Sequence, residues 1–271
     1  KTPGPLIHNR QVLQVLESRG ILTTDQSDDA TGTAVIRAHG LSLQEHEELR
    51  RHCEELLDAT CPHVRRVQEI VERYAAEGYL CVVVGDRGHA EVNALISYAG
   101  QAGRVISGPE EVESLPPADK VVVVAQTTQD QELFRRTIKQ VRGRYGECLV
   151  FETICQSTGQ RQAEVRELAR KVEAMIVVGG FNSANTRRLA QISAATGAPT
   201  YYVETDAQLD IARILQYERV GLTAGASTPN WMIKKVIRRL ADEHRKRTRS
   251  GLHLARLVLR GLVSVNLYAA G

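Results

Sequence analysis

Leu80-Cys81-Val82-Val83-Val84, then Gly85-Asp86-Arg87-Gly88-His89, then Ala90 to Tyr98, is the stretch that decides the fold. Five apolar residues in a row leave no polar face, so the strand they form is covered on both sides, as strands of parallel sheets are. The glycine-bounded pentapeptide reads as a loop and Ala90 to Tyr98 as a helix. This order recurs along the chain. Lys120 to Ala125 is a strand, Gln126-Thr127-Thr128-Gln129 a loop, and Asp130 to Val141 a helix. Cys148 to Thr153 leads to a loop at Cys155, Met175 to Val178 to a loop through Asn185, and Arg219 to Leu222 to a loop ending at Pro229. Such alternation predicts an α/β protein of mostly parallel sheets flanked by helices. Ligands of such folds bind at the carboxyl ends of the strands.

Working upstream, His8 to Arg19 carries a helical pattern closed by Gly20, and Thr33 to Arg37 reads as a strand. Ser42 is the expected N-cap of a helix that runs to Leu57 and delivers the chain to Cys61. Pro62 fits the first turn of the next helix, where a missing N–H costs nothing. The Cys61 thiol then lies at the positive end of a helix dipole, which favours thiolate, the metal-binding form. Boundaries near Cys61 and Cys155 predict three small pseudo-symmetric units, 1–60, 61–154 and 155–240, around a central site. A C-terminal extension, 241–271, follows: first basic (Arg245, Lys246, Arg247, Arg249), then apolar from Leu252 to Ala270. Arg256 and Arg260 interrupt that apolar run, so it does not read as a membrane span. The chain opens on Lys1 inside a structured motif and stops just after an apolar run, so both ends are expected to be cut. Membrane contact is expected only through a continuation beyond Gly271.

Apolar residues make up 42% of the 271 and charged residues 25%, as in ordinary globular proteins. A net charge of +3 and 4% aromatics supply neither the field nor the stacking surface that nucleic-acid binders use. The five cysteines, Cys53, Cys61, Cys81, Cys148 and Cys155, are an odd number without a Cys-x-x-Cys pair. That argues for reduced thiols in a cytoplasmic protein, and against zinc knuckles and ferredoxin-type clusters.

The chemistry-bearing residues fall in the loops. His8, His39 and His89 each adjoin Gly or Asn at a loop. Loops rich in His, Thr, Ser, Asn and Gly that open onto helix N-termini attract phosphates, so several together suit a doubly phosphorylated small molecule. Glu91, in the first turn of its helix, is either a dipole-complementing carboxylate or a proton donor beside the anion. Cys61 and Cys155, each at a loop before a helix, are either small packed hydrophobes or ligands to iron.

Ordered motifs then identify a family resemblance. Gly4-Pro5-Leu6-Ile7-His8-Asn9, Ala38-His39-Gly40, Asp58-Ala59-Thr60-Cys61-Pro62, Gly88-His89-Ala90-Glu91-Val92, Gln126-Thr127-Thr128, Thr153-Ile154-Cys155, Arg161-Gln162, Asn182-Ser183-Ala184-Asn185 and Thr223-Ala224-Gly225-Ala226-Ser227 occur in sequence. Up to about Leu240 the chain resembles the 4-hydroxy-3-methylbut-2-enyl diphosphate reductases, which end the methylerythritol phosphate route to isoprenoids. The resemblance implies reductive removal of an allylic hydroxyl at a 4Fe–4S cluster with one open iron. It implies Cys61 and Cys155 as two cluster ligands, with the third expected upstream of Lys1. His8, His39, His89, Ser183, Asn185 and Ser227 would bind the diphosphate, Glu91 would supply the proton, and Thr127 would hold the substrate hydroxyl. Ferredoxin or flavodoxin would supply electrons. A clusterless diphosphate-binding paralogue is the alternative. The chain departs from the family pattern at Ala184, where a second Ser is usual, at Ala90 for Pro and at Gln160 for Asn.

Overall fold

The computed structural model describes residues 1–24, 32–249 and 256–259, the side chains of 247–249 and 256–259 excepted. In chain order the elements are β1 (Thr2–Pro3), α1 (Arg10–Glu17), β2 (Thr23–Thr24), β3 (Thr33–Ile36), α2 (Leu43–His52), β4 (Glu55–Asp58), α3 (Pro62–Ala76), β5 (Leu80–Val84), α4 (Ala90–Ala99), β6 (Gly103–Ile106), β7 (Lys120–Ala125), α5 (Gln131–Arg144) and β8 (Glu147–Val150). There follow α6 (Gln156–Ala169), β9 (Ala174–Val178), α7 (Ala184–Ala195), β10 (Thr200–Val203), α8 (Ile211–Ile214), β11 (Arg219–Ala224), α9 (Asn230–Arg249) and β12 (Arg256–Leu259). These form two compact units. The first holds Lys1–Ile7 and Gln11–Gln156, the second His8–Arg10 and Ser157 onward.

The first unit contains a four-stranded sheet in the order β6-β5-β7-β8 and the two-stranded sheets β3-β4 and β1-β2. All of these pairings are parallel. The expected double cover of β5 is present: all five of its residues are buried. Val82 and Val84 pack with Phe134, Ile138 and Val141 of α5 on one face. Cys81 and Val83 pack with Val67 and Val71 of α3 and Leu95 of α4 on the other. Alternation along an all-apolar strand thus feeds two separate cores, each buried Val contributing about 1.5–3 kcal/mol.

The second unit repeats the design with the parallel sheet β10-β9-β11-β12. Ile176 and Val178 of β9 join Val236 and Leu240 of α9. Met175 and Val177 face Val165 and Leu168 of α6 and Leu189 of α7. The sequence thus folds as an α/β protein of parallel sheets with helices on their faces.

Local differences from the sequence reading have physical causes. Ser42 caps α2 through a full capping box with Glu45, as its type and spacing dictate. The helix stops at His52, however, and does not run to Leu57. Cys53 is its extended C-cap, and Glu55–Asp58 pair with Thr33–Ile36 as β4. Leu56 and Leu57 satisfy a helical pattern as well as a strand, and pairing with β3 decides between them. Edge strands β6 and β10 escape the apolar-run criterion, because Gly-Arg-Val-Ile and Thr-Tyr-Tyr-Val mix partly exposed and buried positions. The apolar extension Leu252 to Ala270 lies outside the described residues except for 256–259, which pair with β11. Among the described residues no helix is long and apolar enough to cross a membrane.

Phe134 has no exposed surface, whereas Val15 is 44% exposed. Phe134→Ala is expected to lower the unfolding free energy by about 3–5 kcal/mol, and Val15→Ala by less than about 0.5 kcal/mol, in urea titrations followed by circular dichroism.

Candidate functional site

In the first unit, the site is set by the loops that leave adjacent strands β5 and β7. Parallel pairing brings Val84 level with Ala125. The two chains therefore leave the sheet side by side, and the backbone N–H of Gln126 still donates to the Val84 carbonyl at 2.9 Å. Gly85 allows the close approach: a Cβ there would come within 2.6 Å of Val92 Cγ2 and 3.1 Å of Gln126 Oε1. The buried Gln126 side chain ties the loops together, accepting from the Asp86 N–H at 2.9 Å and donating to Thr128 Oγ1 at 3.0 Å.

Glu91, in the first turn of α4, is buried against this junction. Its Oε1 accepts the Thr127 backbone N–H at 2.6 Å and its Oε2 accepts the Thr127 hydroxyl at 2.9 Å. Burial raises the carboxyl to about 7, outweighing the two Thr127 bonds that favour the ionised form; the Asp86 charge adds a smaller upward push. Glu91 is thus poised between acid and base near neutral pH. When it holds a proton on Oε2, the Thr127 hydroxyl can rotate to accept it, so the pair can pass a proton.

His89 is the N-cap of α4, a place usually held by Ser, Thr, Asp or Asn. Its Nδ1 accepts the Glu91 N–H at 3.2 Å, which puts the proton of the neutral ring on Nε2. The ring is thereby held with a donor on its far side. The His39 ring meets it edge to face, with centroids 5.4 Å apart. His39 follows Ala38, whose carbonyl accepts the Cys61 N–H at 3.0 Å. At the other end of the series, the Cys155 N–H donates to the Thr127 carbonyl at 2.9 Å. Contacts within one unit thus connect Cys61, His39, His89, Glu91, Thr127 and Cys155. His63, by contrast, is exposed on α3.

The thiols sort by environment. Cys61 is the N-cap of α3 with Pro62 behind it, and no cap hydrogen bond uses its side chain. Cys155 immediately precedes α6, and both thiols are half-buried. Cys81 is sealed in the core, donates weakly to the Val71 carbonyl and is pushed by burial up to about 11. Burial also raises Cys148, which packs against the core of β5 and β7. Cys53 packs with Ala34, Ile36 and Leu49. Only Cys61 and Cys155 among the five combine partial exposure with a place at a helix start beside the histidine and carboxylate groups. Their chemistry fits two ligands of an iron–sulfur cluster.

The second unit carries its own polar group, again at strand ends. Ser183 caps α7 after β9, with Asn185 in the first turn, and Ser227 lies in the loop between β11 and α9. The Gly225 N–H and the Thr228 hydroxyl both donate to the Val178 carbonyl at 3.0 Å, which fastens the second loop to the first. Gly180 has no room for a side chain because the His8 carbonyl lies against it, so His8 is held at the same loop. Asn185 is 7% exposed, yet neither its Oδ1 nor its Nδ2 has a hydrogen-bond partner among the described residues. The Ser227 Oγ and the Arg161 Nε are likewise buried without one. Polar atoms left so at a helix N-terminus suit an anionic ligand. Thr186 and Thr228 escaped the sequence reading, although Ser183-x-x-Thr186 is a spacing that puts Thr186 on the cap.

Comparison with known proteins agrees on one family. Residues 1–241 match the family model described as LytB protein. The chain is 46% identical over 247 residues to the 4-hydroxy-3-methylbut-2-enyl diphosphate reductase of Geobacter sulfurreducens, covering 91% of this chain and 88% of that one. It is 45% identical over 246 residues to the enzyme of the same name from Pelobacter propionicus, covering 90% and 88%. A solved structure of (E)-4-hydroxy-3-methyl-but-2-enyl diphosphate reductase, titled the terminal enzyme of the non-mevalonate pathway, aligns with a TM-score of 0.62 at 37% identity, covering 89% and 87%. The fold also matches the Plasmodium falciparum structure of E-1-hydroxy-2-methyl-but-2-enyl-4-diphosphate reductase, with a TM-score of 0.87 at 23% identity over 98% of this chain and 84% of that one.

The raised Glu91 carboxyl has a consequence for stability. Between its unfolded value of 4.5 and about 7 the folded protein holds a proton that the unfolded chain has released. Stability from this group is full below 4.5 and is lost as pH rises through 7. Glu91→Gln is expected to remove that slope, so that the wild-type deficit relative to the variant grows by on the order of 3 kcal/mol from pH 4.5 to pH 8 in urea titrations.

Proposed function

The chain belongs to the LytB protein family, and we propose on that premise that it reduces 4-hydroxy-3-methylbut-2-enyl diphosphate to isopentenyl and dimethylallyl diphosphate. The reaction breaks the allylic C–O bond, takes up two electrons and two protons, forms a C–H bond and releases water. Cys61 and Cys155 would hold a 4Fe–4S cluster together with a third cysteine ahead of Lys1. When bound, the cluster supplies the electrons and a Lewis-acidic iron that makes hydroxide a feasible leaving group.

The chain's own residues do the rest. His8, His39, His89, Ser183, Asn185 and Ser227 bind the diphosphate. For His89 this role is supported by its cap bond, which places the proton of the neutral ring on Nε2. For Asn185 and Ser227 it is supported by buried polar atoms that no group among the described residues satisfies. Glu91 supplies a proton, and Thr127 orients both that carboxyl and the substrate hydroxyl. A carboxyl raised to about 7 holds its proton at neutral pH and can still release it. A bound dianion nearby would raise it further.

Electrons are proposed to come from a ferredoxin or flavodoxin in the cytoplasm. The division into units 1–60, 61–154 and 155–240 is proposed with the function, supported by parallel strand pairs within each range: β3-β4 in the first, β6-β5-β7-β8 in the second and β10-β9-β11 in the third.

The observation that carries the proposal is the sealed Glu91–Thr127 pair, bonded through the Thr127 backbone to Cys155. Protein purified without oxygen, carrying its preceding segment, is expected to be brown and to convert the substrate when given dithionite and a viologen. Glu91→Gln is expected to keep the colour and the substrate KM and lose about 10²–10⁴-fold in kcat. A colourless protein that binds pyrophosphate and turns over nothing would instead be the clusterless binder.

A further inference from the structure

Thr186 lies in the first turn of α7 and has no exposed surface. Two of its groups converge on one atom. Its backbone N–H reaches Ser183 Oγ at 3.3 Å, and its hydroxyl donates to the same oxygen at 3.0 Å. A serine hydroxyl has two acceptor positions and one proton to give. With both acceptor positions filled, Ser183 is left only as a donor, and no acceptor for its proton occurs among the described residues. A donor is what a phosphate oxygen requires. A hydroxyl that already accepts two bonds is also polarised toward giving its own proton.

The packing around Thr186 holds this arrangement. A Cβ on Gly179 (φ 152°) would come within 2.8 Å of both Thr186 Oγ1 and Cγ2. A Cβ on Gly225 would occupy the position of Thr186 Oγ1. These glycines open the loops after β9 and β11 respectively. The two loops therefore omit side chains where Thr186 stands, so its hydroxyl is wedged between them. Its rotamer is fixed by backbone rather than by mobile side chains.

We infer that Thr186 is a positioning residue that commits the Ser183 hydroxyl to donating to an anionic oxygen of the ligand. The inference rests on the proposal that this loop pair binds the diphosphate. It gives Ala184, which offers no hydroxyl of its own, a counterpart: Ser183 is the only hydroxyl in the Ser183-Ala184-Asn185 turn, so its polarity matters more.

The test is titration calorimetry of the whole protein with inorganic pyrophosphate. Thr186→Val keeps the shape and removes the hydroxyl, and is expected to weaken binding about tenfold, the worth of one hydrogen bond to a charged group. Thr186→Ser restores the hydroxyl and is expected to bind within about twofold of wild type. Ser183→Ala is expected to weaken binding at least as much, and adding Thr186→Val to it is expected to change nothing further, because the second residue acts through the first. If Thr186→Val does not fold, Thr186→Ala is read in its place. Ser183→Ala weakened with Thr186→Val at wild-type affinity would overturn the inference alone. Equal additional weakening in the Ser183→Ala background would also overturn it, marking a packing role. Ser183→Ala at wild-type affinity would overturn the anion-site reading itself, and the inference with it.

Discussion

Level pairing of Val84 with Ala125 is the constraint from which the first unit's chemistry follows. It makes two loops leave one sheet edge together, so the first residues of α4 and the loop after β7 meet in direct hydrogen bonds. Glu91 is caught there, and among the described residues only Thr127 bonds its carboxyl. Burial keeps water from the carboxyl, and exclusion of water is what lifts it toward neutrality. The core that stabilises the fold and the raised Glu91 carboxyl therefore have one origin. A looser sheet would lower both.

The second unit uses the same strand ends differently. Among the described residues it presents no buried carboxyl at its loops. Instead it presents hydroxyl and amide groups at the start of α7, with the helix's own N-terminal N–H groups behind them. Glycines at 179, 180 and 225 admit a threonine and a backbone carbonyl where side chains would otherwise stand. The first unit thus carries a buried carboxyl at its loops, and the second carries hydroxyl and amide groups at the start of α7.

Much of this was legible in the sequence because its signals are local. Runs such as Leu80–Val84 and Lys120–Ala125 permit little besides a doubly covered strand, and Ser42, Pro62 and Asp130 mark helix starts by their chemistry. The edge strands were not legible, since partial exposure gives Gly103–Ile106 and Thr200–Val203 mixed composition. Nor was β4, whose Leu-Leu pair fits a helix equally well until β3 claims it. At the site, the types and order of His39, His89, Glu91 and Thr127 were visible. That Glu91 is sealed, that His89 serves as an N-cap and that Thr186 bonds Ser183 are properties of packing, which no single stretch of sequence carries.

The central claim is that Glu91 keeps its proton close to neutral pH because the fold shuts it away from water. Carbon-13 NMR of protein labelled at glutamate side-chain carboxyls, titrated across pH with Glu91→Gln as the blank, reads that proton directly. The account predicts one carboxyl signal, missing from the variant, that titrates near 7. A wild-type titration superimposable on that of the variant, with no carboxyl signal titrating near 7, would contradict it.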